Sequence, residues 1–409
     1  YKKPPEDEPF TLYSELGICP WNLKRKMLMI GFRGQEIELG DQPPANVVFL
    51  IDVSGSMSPV DRLPLLKKAF KMITYQLRPI DTVSIVTYAG GVGVHLDGVK
   101  GDQTETIIEA IDSLSAGGST YGSGGIVKAY EIAEKHFIEG GNNRVVLATD
   151  GDFNVGISDN DQLVELIKEK KETGVFLSAY GVGFSNYMDE RMEQITNAGN
   201  GTYFYIDGPE EAKRAFANVF SGSMLAIAKD VKLQIQFNPK HVKGYRLIGY
   251  DNRVMSNEDF HDDTKEGGVL GNGQDMTAFI EIIPADSSEE VPPIPEGENI
   301  NEEDESEFEP LEDDVYMVVR IRYKDPDSDE SKLVENILKK SDIRQIPSIK
   351  YIFASAVAEL GLLLRHSVYF EERDISKIIE NVKKALQSDP EGAVKDFLEM
   401  VEKAHDLNP

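Results

Sequence analysis

From residue 46 to residue 224 the sequence alternates short apolar runs with longer amphipathic stretches, and few architectures accommodate that rhythm. The runs are VVFLIDV, VSIVTY, RVVLATD, FLSAYGV and TYFYI, and helical patterns cover 61–78, 104–114, 122–138, 159–173, 187–198 and 209–226. In the first helical stretch Leu63, Leu66, Phe70, Ile73 and Leu77 recur every three or four residues, which stacks them on one face. Strands that alternate with helices form a parallel sheet covered on both sides, because each crossover lays its helix back on the sheet. The expected class is α/β, doubly wound, with a mainly parallel sheet.

The flanks follow a different period. MLMIGFRGQEIEL (27–39) predicts strand–turn–strand, and VKLQIQF, YRLIGY, TAFIEII and VYMVVRIRY predict strands joined by short turns. These flanking strands are expected to pair into one antiparallel β-sandwich in which the α/β domain is an insert. From Pro347 to Leu407 three apolar-periodic segments predict a helical tail. The expected division is an N-terminal segment 1–45 lending strands to the sandwich, an α/β domain 46–226, a sandwich 227–345 and a helical region 346–409. Between 285 and 314 there are fourteen Asp and Glu, no Lys or Arg, and the prolines of VPPIPEGE, a composition that predicts a solvated, mobile loop.

Charge narrows the partners. With 71 acids against 43 bases the net charge is −28, half of it in the acidic loop, which argues against a nucleic-acid backbone or an anionic lipid surface and favours a cation. The 409 residues support two or three cores. A single cysteine, Cys19, forms no internal disulfide. No run of eighteen apolar residues exists, so no transmembrane helix is expected. The first residue is Tyr rather than Met, which points to a processed or truncated chain whose targeting segment is gone.

The first apolar run ends in LIDVSGSM (50–57), where Asp52, Ser54 and Ser56 place a carboxylate and two hydroxyls on alternate residues. A hard divalent cation takes about six oxygens, and this loop can supply three of them from one side. Thr120, in GGST ahead of a helix, and Asp150, at the end of RVVLATD, offer two more. All lie at the carboxyl ends of expected parallel strands or in the loops after them, where doubly wound sheets build their sites. Asp52, Ser54, Ser56, Thr120 and Asp150 are therefore the candidate metal ligands.

That constellation, with the domain length and the strand–helix order of 46–226, resembles the metal-ion-dependent adhesion site of von Willebrand factor type A domains. The resemblance implies one Mg²⁺ or Ca²⁺, held directly by Ser54, Ser56 and Thr120, with the two aspartates binding directly or through water. It further implies an open coordination place for an Asp or Glu carboxylate of a protein partner. PWN at 20–22 and YRLIGYDNRVMSNEDFHDDTKEGGVLGNG at 245–273 look like a bacterial subfamily of extracytoplasmic proteins carrying this domain, often lipid-anchored. An extracytoplasmic location, periplasmic or cell-surface, follows as an expectation, with a membrane anchor ahead of residue 1.

Other chemistries fit less well. DGDFNVGISDND (150–161) has Val155 where a calcium loop needs glycine, and DPDSDESKLVEN (325–336) has Glu330 there. YGSGG lacks the Lys-Ser/Thr of a phosphate loop, the six histidines are scattered, and Ser54 has no nucleophile-elbow context. Trp21 reads as a core or edge-covering residue of the sandwich. The alternative function is a metal-dependent hydrolase using the same cation, which requires a positioned base or cationic clamp that the five residues do not bring. A third is a scaffold whose metal only locks loops together. The expected function is a non-enzymatic protein-binding module.

Overall fold

The computed structural model describes residues 1–118, 124–151, 160–183, 189–212, 215, 225–250, 255–265, 267–292, 309–326, 328–370, 374–389 and 392–407. Its described strands and helices are, in chain order, β1 (Phe10–Ile18), β2 (Lys26–Gly34), β3 (Ala45–Asp52), α1 (Leu63–Thr74), β4 (Thr82–Tyr88), β5 (Val92–Lys100), α2 (Thr104–Ser113), α3 (Gly125–Lys135), β6 (Asn142–Thr149), α4 (Asn160–Lys171), β7 (Val175–Val182), α5 (Asp189–Ala198), β8 (Tyr203–Ile206), β9 (Ala226–Phe237), β10 (Val242–Ile248), α6 (Asn257–His261), β11 (Gly268–Gly271), β12 (Asp275–Pro284), β13 (Val315–Lys324), β14 (Ser331–Lys339), α7 (Ile349–Leu364), α8 (Ile375–Ala385) and α9 (Ala393–Leu407). They fall into two compact units, one of residues 34–229 with 268–274, the other of 1–33, 230–267 and 275–409.

The first unit is built on a six-stranded sheet of order β5-β4-β3-β6-β7-β8. β3 runs parallel to both neighbours, with Ile51 opposite Thr87 and Ala148. Its side chains alternate between two apolar layers: Val47, Phe49 and Ile51 meet Leu66, Phe70 and Ile73 of α1, while Val48 and Leu50 meet Ile126, Ala129 and Tyr130 of α3. A strand covered on both faces must be apolar throughout, which is why VVFLI has no polar residue. β5 is an addition to the expected elements. It pairs antiparallel with β4 at the sheet edge and is largely exposed. Of the helix expected at 209–226, Ala212 and Ala215 are buried, and Phe216, Val219 and Phe220 lie outside the described residues.

The second unit carries two four-stranded sheets, β1-β2-β12-β10 and β11-β9-β13-β14, with β11 and the first residues of β9 counted in the α/β unit. β12 is antiparallel to β2 and β10, and β13 to β14. The two sheets meet at Phe10 of β1, whose ring packs edge-on against Phe32 of β2 and Tyr323 of β13. On the other side of β2, Met27 and Met29 cluster with Tyr351 and Leu362 of α7. The Tyr351 hydroxyl faces the carbonyls of Ile18, 3.0 Å away, and Met27, 3.2 Å away, so the helix is also pinned polar to polar. Trp21 is buried, as expected of a core residue, and its indole N–H donates to Glu281 of β12 at 2.9 Å. Glu281 also receives Arg25 at 3.2 Å and Arg246 at 2.5 Å, so this buried carboxylate is the polar knot of the sheet. α7, α8 and α9 close a separate small core through Leu360, Ile378, Val382, Leu398 and Val401.

Two readings of the flanks are corrected. Residues 27–39 hold one strand, β2, rather than strand–turn–strand, and the second N-terminal strand lies upstream as β1. Beyond Gly34 side chains satisfy the backbone of Ile37, since Asn272 accepts its N–H at 2.5 Å and Gln42 donates to its carbonyl at 3.0 Å. The acidic segment is not free at its described ends: Glu289 pairs with Arg25, Asp313 with Lys240 and Asp314 with Lys339. Residues 293–308 of that segment lie outside the described set. Among the described residues no helix is long and apolar enough to cross a membrane.

Candidate metal centre

The sheet order determines where a site can form. From β3 the chain proceeds outward through β4 and β5 on one side, then returns to β6, β7 and β8 on the other. The loops after β3 and β6 therefore diverge and leave a crevice between adjacent strand ends. Asp52 is the last residue of β3 and Asp150 the first after β6, so both carboxylates stand at that crevice, each buried.

The loop after β3 is shaped by its own polar groups. The Ser54 N–H donates to Asp52 Oδ1 at 2.8 Å, and a short 3-10 turn over Gly55–Met57 brings the hydroxyls of Ser54 and Ser56 to 2.9 Å from one another. Backbone bonds from Val53 N–H to Tyr88 O, Gly117 N–H to Val53 O and Gly55 N–H to Gly118 O tie this loop to the segment that leads toward Thr120. Asp52, Ser54, Ser56 and Asp150 are thus gathered, and Thr120 lies outside the described residues.

Burial is the main cause that raises the Asp52 carboxyl above its usual range, and the Asp150 charge adds to it. The Tyr88 phenol, wholly buried, is pushed well up by burial and then by the Asp52 charge. Thr149 donates to Asp52 Oδ2 at a long 3.4 Å and accepts from the Gly151 N–H at 3.2 Å. Arg62, just ahead of α1, ion-pairs with Asp150 and donates to the Ser56 carbonyl at 2.9 Å. Arg62, Tyr88 and Thr149 were not singled out from sequence. The available signal was electrostatic, because two buried carboxylates at adjoining strand ends need a counter-charge.

The donor chemistry fits a hard divalent cation, since it combines two carboxylates, one of them raised by burial and by its like-charged neighbour, with two facing hydroxyls. Among the described residues no three His, Cys, Asp or Glu side chains converge, so a cation here would draw further ligands from hydroxyls.

Comparison with known proteins agrees with this architecture. The profile of the von Willebrand factor type A domain matches residues 46–218, and that of the C-terminal part of the "Uncharacterized protein YfbK" matches 222–407. The Escherichia coli K12 "Uncharacterized protein YfbK" is 38% identical over 399 residues, which cover 97% of this chain and 68% of that protein. The chain belongs to the YfbK family of von Willebrand factor type A proteins. A shorter likeness links it to the human inter-alpha-trypsin inhibitor heavy chain H3, 28% identical over 154 residues, which cover 36% of this chain and 17% of that one. Among solved structures, a von Willebrand factor type A protein from Catenulispora acidiphila shares the fold, with a TM-score of 0.52 at 15% identity over 97% of this chain and 89% of that one.

Proposed function

We propose that this member of the YfbK family is a metal-dependent protein-binding module, in which one Mg²⁺ or Ca²⁺ held by Asp52, Ser54, Ser56, Thr120 and Asp150 accepts an Asp or Glu carboxylate from a protein partner. The observation that carries the reading is the pair of buried carboxylates at adjoining strand ends beside two facing hydroxyls. A bound cation would supply an electrophilic coordination place for a carboxylate oxygen. The chain's own groups do the rest: Ser54 N–H and Thr149 Oγ1 orient the Asp52 carboxylate, and the 3-10 turn presents the hydroxyls. The role proposed is binding without catalysis, because the side chains gathered here supply cation ligands and a counter-charge. We place it outside the cytoplasm on the subfamily resemblance set out from the sequence.

Titration calorimetry with Mg²⁺ and with Ca²⁺ tests the site. The expected result is one divalent ion per chain, with affinity falling more than about tenfold, or about 1.4 kcal/mol, in Asp52→Ala and in Asp150→Ala. Unchanged affinity in both variants would remove the assignment. Capture of protein partners that is abolished by EDTA and restored by Mg²⁺ tests the binding role.

A further inference from the structure

Arg62 is a cation built into the candidate centre rather than a solvated helix-start residue. Its side chain is only 13% exposed, its guanidinium holds Asp150, and the same nitrogen donates to the Ser56 carbonyl at 2.9 Å. The fold makes room for it at Gly183, which sits at φ +83 directly after β7. A Cβ there would come within 2.5 Å of Arg62 Nε. Three separate segments, the loop after β3, the end of β6 and the end of β7, thus define the slot.

Resting on the metal-binding reading above, we infer that Arg62 sets the charge of this site, weakening its hold on the metal and strengthening the loaded site's hold on the partner's carboxylate. Asp52, Asp150 and Arg62 together leave one negative charge, which a divalent cation converts to one positive charge. Without the guanidinium the same groups start at two negative charges and end neutral. A neutral loaded site attracts an acid only through the nearer cation against two nearby carboxylates, whereas a singly positive one adds a net Coulombic attraction. Arg62 therefore makes anion acceptance conditional on the metal, which matters on a chain whose net charge of −28 otherwise repels acidic partners. The competing role, in which Arg62 only holds Asp150 in a ligating pose, predicts the opposite sign for metal affinity.

Calorimetric Mg²⁺ titration of the full chain, with and without acetate at constant ionic strength, separates these. In Arg62→Gln, which keeps a hydrogen-bond donor but no charge, metal should bind roughly tenfold tighter, and the gain in Mg²⁺ affinity that acetate gives the wild-type chain should shrink severalfold. Arg62→Lys should behave like the wild type in both respects. Arg62→Met serves as a second neutral side chain should the glutamine variant fold poorly. Equal or weaker metal binding in the neutral variants overturns the role of Arg62, and so does a lysine variant that behaves like the neutral ones. Absence of Mg²⁺ binding to the wild-type chain overturns the metal reading itself, a result distinguishable from either.

Discussion

Replacing Asp52 by asparagine should shift the melting temperature upward without metal and downward with it. The side chain is fully buried, Oδ1 accepts the Ser54 N–H at 2.8 Å, Thr149 reaches Oδ2 at a long 3.4 Å, and the Ser54 hydroxyl and the Tyr88 phenol also bond the carboxylate. Asparagine keeps the shape and the Ser54 bond and removes a buried charge that lies beside a second carboxylate, so the metal-free protein should gain about 1–2 kcal/mol at neutral pH. For a unit of this size that corresponds to roughly 2–8 °C. Saturating Mg²⁺, at about a hundred times its dissociation constant, stabilises the wild type by about 2.7 kcal/mol, or roughly 5–11 °C. The variant should lose nearly all of that shift. The sign with pH follows from burial, which raises this carboxyl. A raised acid contributes stability that is present below its unfolded pKa and lost as pH rises through the folded one. The metal-free advantage of the variant should therefore disappear below about pH 4. Scanning calorimetry in EDTA and in Mg²⁺, at neutral pH and near pH 4, measures all of this. A variant that melts earlier than the wild type in EDTA, or that retains the full Mg²⁺ shift, would refute the reasoning.

Three further outcomes are expected. Glu281→Leu leaves Arg25 and Arg246 without the buried carboxylate they share with Trp21 and should cost about 3 kcal/mol in urea unfolding; a loss under about 1 kcal/mol would show that Glu289 and solvent hold both arginines adequately. Gly201→Ala places a Cβ 1.6 Å from the Leu177 carbonyl oxygen, so its cost should reach or exceed the usual roughly 1–3 kcal/mol of overpacking, and an unchanged melting point would contradict the packing of the α5–β8 connection onto β7. Burial pushes the Tyr316 phenol up to about 12 from 10.0, so the stability it contributes is full below pH 10 and lost as pH climbs through about 12. Tyr316→Phe should resist alkaline unfolding better across that window by circular dichroism, and identical profiles would exclude this phenol as the cause.

What could be read from the residues alone follows burial. β3, β6 and β7 are covered on both faces and so appear as largely apolar runs. β5 escaped because it is an exposed edge strand interrupted by Gly93 and by Gly98, at φ +65. β14 escaped because its sequence, SKLVENILK, mixes charges with apolar residues on a largely exposed surface. In the site, Asp52, Ser54 and Ser56 were legible because they lie within five residues of one another, and Asp150 because it ends the apolar run RVVLATD. Arg62, Tyr88 and Thr149 reach the site only through tertiary packing. Tyr88 and Thr149 each close an apolar run and read as core, and Arg62 sits between Asp61 and Leu63 like any solvated residue at a helix start.

β2 and β12 are sheet neighbours but are made at very different times. About 240 residues separate the end of β2 from the start of β12, so at roughly 5–20 residues per second β2 waits on the order of 12–50 s on the ribosome for its partner. During that interval MLMI, buried on both faces in the finished sheet, has only β1 as a neighbour strand. The α/β unit's strand pairings, β3 with β4 and β6 and β6 with β7, all lie within the residues made between β2 and β12, so it can close during the same wait. In chain order the inserted unit can therefore close first, and the strands that precede it stay without their sheet partner until β12 is present.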